Sequence, residues 1–153
     1  MAIRLVVYGD PVPQSRPKFY RRGSHVGVYT PKTSTNYRTS VAAEYLKLGK
    51  TKLTGPISLA LDFYMHRPKR LDSSKHSEGP VPSIARPDWD NLGKAISDAL
   101  NDIAYLDDSQ IWDVRLRKMY HEKGGQARIE LLIYDDGATS QEGTPWHDPK
   151  PAA

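Results

Sequence analysis

The nine residues Ile57-Ser58-Leu59-Ala60-Leu61-Asp62-Phe63-Tyr64-Met65 carry an apolar side chain at every second position. A period of two marks a strand with one buried face, because successive side chains leave the pleated backbone on opposite sides. Residues 2–9 alternate similarly, with Ile3, Leu5 and Val7 set against Arg4, Val6 and Tyr8. Two closing strands are predicted at 111–120 and 127–134. In the first, Trp112, Val114, Leu116 and Tyr120 oppose Arg115 and Arg117; in the second, Ala127, Ile129, Leu131 and Ile133 alternate with Arg128 and Glu130. Gly124-Gly125 between them predicts a hairpin turn. Two other segments follow the helical period instead. From about Thr33 to Leu48, Tyr37, Val41, Tyr45 and Leu48 share a face, with Ser/Thr caps before them and Gly49 as a left-handed stop. From Asp90 to Asn101 the apolar face is Leu92, Ala95, Ile96, Ala99 and Leu100.

The connections are distinctive. Asp10-Pro-Val-Pro-Gln-Ser-Arg16-Pro17 contains three prolines and excludes regular structure. Residues 17–29 read as a ribbon turning at Gly23-Ser24, where Phe19 and Tyr20 interleave Arg16, Lys18, Arg21 and Arg22 with no acid nearby. Such a ribbon suits phosphate contact and base stacking, and equally suits a charge-protected sheet edge. Residues 67–86, with Arg67, Lys69, Arg70, Lys75 and Arg86 against Asp72 and Glu78, predict a mobile basic arm. The stretch from Asp135 onward, rich in Gly, Ser, Thr and Pro, reads as a disordered tail over 135–153, leaving one domain over 1–134.

Composition narrows the class. At 153 residues one domain can bury a real core, and no apolar run is long enough to span a membrane. The start lacks the apolar region of a secretory signal. Cysteine is absent, so disulfide and thiolate chemistry are excluded, and the five histidines show no HExxH or zinc-type spacing.

Charge is unevenly distributed. Residues 88–108 hold Asp88, Asp90, Asp98, Asp102, Asp107 and Asp108 against Lys94 alone, a net −5 in a chain of +4, which leaves +9 for the remainder. Clustered carboxylates repel unless a cation neutralises them, while surrounding positive charge attracts a polyanion. A metal-dependent enzyme that cuts nucleic acid needs both features. Asp88 lies on the extended approach and Asp90 in the first helical turn, with Lys94 one turn on. A helix over 90–101 rises about 17 Å, and six extended residues after it cover about 20 Å. A chain doubling back along the helix therefore returns Asp107-Asp108 to the helix start, with Leu106 and Ile111 as apolar anchors. Hard carboxylate oxygens suit Mg²⁺, with Mn²⁺ able to substitute. Lys94 would offset developing negative charge on phosphorus or position the attacking water. Any one of these acids alone reads more readily as a helix cap. Leu92 and Ala99 occupy positions five and twelve of the apparent calcium loop, which excludes an EF-hand. Asp98 shares the Asp90/Lys94 face and is a candidate to orient Lys94.

Taken together, Arg86-Pro87-Asp88-Trp89-Asp90-Asn91-Leu92-x-Lys94-x₃-Asp98-Ala-Leu-Asn, followed by Asp107-Asp108-x-Gln110-Ile111 and a basic strand, resembles the RusA family of Holliday-junction resolvases. Gly9 to Pro17 and Tyr29-Thr-Pro-Lys32 are similar to that family's N-terminal half. The resemblance implies an α+β (mixed α/β) single small domain, with a mixed sheet of about four to six strands and two main helices. It implies a homodimer that cuts four-way DNA junctions with Mg²⁺ and no small-molecule cofactor. The family's essential aspartates fall on Asp88, Asp90 and Asp108, and its lysine on Lys94; the interval before the acidic pair leaves Asp107 open as the alternative to Asp108. Arg16, Lys18, Arg21, Arg22, Lys69, Arg70 and Arg117 are then expected DNA-backbone contacts. The setting implied is cytoplasmic and nucleoid-associated, in a bacterium or phage. A non-catalytic junction- or single-strand-binding protein, and a general flap or fork nuclease, are the competing expectations.

Overall fold

The computed structural model describes residues 2–137. It is an α+β domain: a mixed five-stranded sheet, a separate two-stranded ribbon and two helices. In chain order the elements are β1 (Ala2–Tyr8), β2 (Lys18–Arg22), β3 (His25–Tyr29), α1 (Lys32–Leu46), β4 (Ile57–Met65), β5 (Val81–Pro82), α2 (Trp89–Leu100), β6 (Ile111–Tyr120) and β7 (Arg128–Asp135), with short 3₁₀ turns at Lys69–Leu71 and Asp108–Gln110.

The sheet order is β1-β7-β4-β6-β5. Strand β4 lies at its centre, antiparallel to β7 and parallel to β6. A parallel pair cannot be joined by a tight turn and needs a crossover. Here residues 66–110 make that crossover and carry α2 with them. The alternation of β4 is realised as expected: Ile57, Leu59, Leu61 and Phe63 are buried and Met65 packs at the core's margin. They form one core with Ile3, Leu5 and Val7 of β1, Ile129, Leu131 and Ile133 of β7, Tyr37, Val41 and Tyr45 of α1, and Leu92, Ile96 and Leu100 of α2. On the other face of the sheet, paired positions carry Asp62 beside Glu130 and Tyr64 beside Arg128.

Several expectations are corrected. Gly124-Gly125 does not close a β6–β7 hairpin, because β4 lies between those strands. Residues 121–127 bridge two inter-strand spacings, about 10 Å, and Gly124 supplies the positive φ of 72° in that turn. Local alternation and a glycine pair cannot reveal a strand inserted from elsewhere. Helix α1 starts after Pro31 without a side-chain cap; its Thr39 and Ser40 hydroxyls donate to carbonyls one turn back instead. Leu48 lies beyond the helix and is exposed, whereas Gly49 adopts the expected left-handed φ of 60°.

Residues 67–86 are folded rather than structureless. The Arg67 side chain is 1% exposed, and its guanidinium makes five hydrogen bonds to the carbonyls of Leu71, Gly79, His121 and Ser77. A buried guanidinium is tolerated only when its donors are satisfied, and five donors match five bonds. Lys123 Nζ adds bonds to the Ser73 and His76 carbonyls and to Glu78. The far end joins the sheet as β5. The predicted tail begins later than expected: β7 includes Asp135, and the Asp136 carboxylate accepts from Ser58 Oγ and from Trp112 Nε1. The rest of that expected tail, 138–153, lies outside the described residues.

Candidate active site

Helix α2 presents the acidic residues. Asp88 is its N-cap, with extended backbone (φ −70°, ψ 146°), and its carboxylate makes no capping bond. Trp89 follows and is 64% exposed. Asp90 lies in the first turn and Lys94 one turn later, both exposed. Among the described residues neither the Asp88 nor the Asp90 carboxylate has a hydrogen-bond or ion-pair partner. At Gly93 the helix closes on β6: a Cβ there would lie 3.2 Å from Leu116 Cδ1. Asp98 faces Arg38 at 3.9 Å and not Lys94, so the orienting role suggested for it has no contact behind it.

The acidic pair does not return to the helix start. After Leu100 the chain turns at once, with Ile103 and Ala104 amides donating to the Leu100 carbonyl. The Asp108 amide then donates to Asn101 Oδ1 at 2.9 Å, which fixes this residue beside the C-terminal end of α2. Gln110 sets the turn. Its Oε1 accepts from the Leu106 and Asp107 amides, and its Nε2 donates to the carbonyls of Leu53 and Gly55. Ile111 packs against the core as an anchor, whereas Leu106 is 53% exposed and anchors nothing.

Asp107 and Asp108 consequently differ. Asp107 caps the 3₁₀ turn by accepting from the Ser109 amide at 2.9 Å. The Ser109 side chain and then its backbone amide hold the Asp107 carboxyl below the usual carboxylate range. The Asp108 carboxylate accepts no such bond, and its charge helps burial raise the Tyr105 hydroxyl above its ordinary value.

Strand β6 runs back along α2, and the groove between them joins the site. A hollow of about 270 Å³ is lined by Asp90, Lys94, Ser97 and Asp108 over a floor of Leu59, Leu61 and Leu116. A second hollow of about 600 Å³ adjoins it through Trp89, Asp90 and Leu116, and is lined by Asp88, Ser83 and Lys118. Asp90 borders both. The three carboxylates are therefore strung along one groove and do not close on a point: among the described residues no three Asp, Glu or His side chains stand close enough to enclose an ion. The donor set still fits Mg²⁺, which binds through one or two carboxylates and keeps waters and substrate phosphate as its remaining ligands. Asp88 and Asp90, two residues apart at the start of α2, would supply such a pair of hard oxygens.

Several positioning residues escaped the sequence reading. Lys118 Nζ donates to the carbonyls of Ala85 and Pro87 at 2.5 and 2.7 Å, clamping the approach to Asp88 onto β6. The Gln14 amide donates to the Asn91 carbonyl at 2.8 Å, tying the proline-rich segment, and hence the base of the β2–β3 ribbon, to the first turn of α2. Gln110 alone had a legible signal, since Asp107-x-x-Gln110 has capping-box spacing.

The cationic residues divide. Arg16, Lys18, Arg21 and Arg22 are exposed on or beside the ribbon that Gln14 fastens to α2. Lys69 and Arg70 border other hollows, at the ends of β4 and β5. Arg117 is paired bidentately with Asp62 at 2.7 and 2.6 Å, on the sheet face away from α2.

A small α+β domain with unpartnered carboxylates along a groove, beside a cationic ribbon, has the constitution of an endodeoxyribonuclease. The family model described as endodeoxyribonuclease RusA matches residues 8–133. Crossover junction endodeoxyribonuclease RusA of Escherichia coli (strain K12) is 32% identical over 131 residues, 83% of this chain and 92% of that protein. The protein of the same name from Enterobacteria phage 82 is 31% identical over the same shares of the two chains. A Bacillus subtilis (strain 168) protein, uncharacterized protein YqaN, is 34% identical over 142 residues, 89% of this chain and 98% of its own. The chain belongs to the endodeoxyribonuclease RusA family.

Proposed function

We propose that the protein is a Mg²⁺-dependent, structure-selective endodeoxyribonuclease that resolves four-way junctions by paired symmetric nicks during DNA recombination and repair. The observation that carries this reading is the groove between α2 and β6, where Asp88, Asp90, Lys94 and Asp108 line adjoining hollows and the ribbon is tied to the same helix. The names of the E. coli and phage 82 relatives, both crossover junction endodeoxyribonucleases, support the substrate class.

Asp88 and Asp90 would hold the ion, with Asp108, which lines the same hollow as Asp90, as the further carboxylate. Bound Mg²⁺ supplies Lewis acidity toward phosphate and lowers the pKa of a coordinated water. Lys94 offsets the negative charge that develops on the phosphate oxygens. The N-terminus of α2 points its free amides toward the same anion. Arg16, Lys18, Arg21 and Arg22 contact the sugar–phosphate backbone and set the register of the strand. Lys69, Arg70 and Arg117 are left out of this footprint, because none borders the groove. A four-way junction has approximate two-fold symmetry and needs two opposed nicks, which a homodimer with one groove per copy supplies. No helix among the described residues is long and apolar enough to cross a membrane. From the DNA substrate class of the named relatives we infer a cytoplasmic, nucleoid-associated setting for a bacterial or phage-encoded protein.

The test is to incubate the protein with a synthetic four-way junction, a fork and a linear duplex, with Mg²⁺ or with chelator. Paired nicks in the junction alone, only with Mg²⁺, are expected. Cuts in all three substrates would make it a general flap or fork nuclease, and retardation without cuts a binding protein.

A further inference from the structure

The ribbon formed by β2 and β3 has two unlike faces. In its antiparallel register Lys18 is paired with Tyr29, Tyr20 with Gly27 and Arg22 with His25. These positions share one face, since alternate residues of a strand and their direct partners point the same way. Phe19, Arg21, Val26 and Val28 occupy the other.

On the first face the Tyr20 ring stands between two others, 6.3 Å from Tyr29 and 6.4 Å from His25, tilted by 56° to each. A Cβ at position 27 would fall 2.4 Å from the Tyr20 ring, so the ring passes directly over the glycine and is seated by its missing side chain. Aromatic cover of a strand glycine is a recognised way of fixing a ring on a sheet. Tyr20 and Tyr29 nevertheless remain 45% and 48% exposed. The surroundings are cationic: residues 11–43 contain Arg16, Lys18, Arg21, Arg22, Lys32 and Arg38 and no acid. A row of oriented rings flanked by charges complementary to phosphate is the equipment for stacking bases that lack a stacking neighbour.

We propose that the Tyr29–Tyr20–His25 face is a stacking platform for base faces left open where DNA branches, so that the ribbon recognises branched structure and not sequence. The Gln14–Asn91 tie fastens the segment leading into the ribbon to the first turn of α2. The proposal rests on the nuclease reading for its DNA substrate, but needs no metal.

Binding is measured in chelator, with oligothymidylate, a linear duplex and a four-way junction bearing 2-aminopurine at the branch. Tyr20→Leu and Tyr29→Leu keep apolar bulk and remove the π-face, Gly27→Ala displaces the Tyr20 ring, and Phe19→Leu alters the opposite face. The first three should weaken oligothymidylate binding about tenfold and abolish quenching of the branch fluorophore, with duplex affinity and melting temperature unchanged. Phe19→Leu should match the parent. Unchanged oligothymidylate binding in both tyrosine variants, an equal loss on duplex, or an equal loss in Phe19→Leu would overturn the platform. A parent protein that nicks junctions although the tyrosine variants bind normally refutes the platform alone. One that binds single strands through Tyr20 yet nicks nothing refutes the nuclease reading alone.

Discussion

Asp107 and Asp108 are neighbours of identical chemistry with different tasks. The Asp107 carboxylate closes a capping box with Gln110, and the Asp108 amide, not its carboxylate, is bound by Asn101. Asp108→Asn should therefore cost at least about a hundredfold in nicking, more than loss of an outer partner of a metal ligand, while junction binding in chelator persists. Asp107→Ser retains a capping oxygen and should keep most of the activity. Nicking assays on both variants check this, and equal losses would refute the division. The buried tyrosines separate similarly. Tyr105 donates to the Ser97 carbonyl at 2.8 Å, so Tyr105→Phe should cost about 1 kcal/mol. The hydroxyl of Tyr37 is buried without a partner among the described residues, so Tyr37→Phe should be neutral or stabilising in urea unfolding. Burial raises both hydroxyls above the usual 10.0. A raised folded pKa gives stability that is complete below pH 10.0 and is lost as pH rises toward the folded value. Unfolding midpoints followed upward from pH 10 should fall less steeply in the double Phe variant.

Among elements, the 66–110 crossover does two jobs: it makes β4 and β6 parallel neighbours and lays α2 along β6, which creates the groove. Its first part depends on Arg67. Removing that guanidinium leaves four carbonyls at the loop's base without their donor. Arg67→Met is expected to cost about 3–5 kcal/mol, the range for breaking a buried charge network. Arg67→Lys should restore little, since three donors cannot replace a five-donor fork. Chemical denaturation measures both, and a loss below about 1 kcal/mol in Arg67→Met would show that the loop holds without its keystone. At the other end of the same element, Lys118 fastens the carbonyls just before Asp88 to β6, which fixes where α2 begins.

For the molecule as a whole, the sheet separates the charges. One face carries the core and α2; the other carries Asp62, Glu130, Arg117 and Arg128, whose charges are matched within the sheet. The unmatched cations of the ribbon remain for a polyanion. The logarithm of junction affinity should fall linearly with the logarithm of salt concentration. Each ribbon cation removed (Arg16, Lys18, Arg21 or Arg22→Ala) should lower that slope by about one. Arg117→Ala should leave it unchanged, since its guanidinium is held by Asp62 on the far face. A slope reduced as much by Arg117→Ala would place DNA on that face as well.

Local order was legible in the chain because it depends on neighbours in sequence. The alternation of β4, the apolar face of α2, the glycine after α1 and the acidic motif around Asp88 are set by residues a few positions apart. Which strand lies next to which could not be read there. Placing β4 between β6 and β7, burying Arg67 and holding Asp108 at the C-terminal end of α2 all depend on long-range hydrogen bonds and packing. Periodicity names the face a strand buries and is silent about the partner that covers its edge, because backbone hydrogen bonding is the same for every sequence.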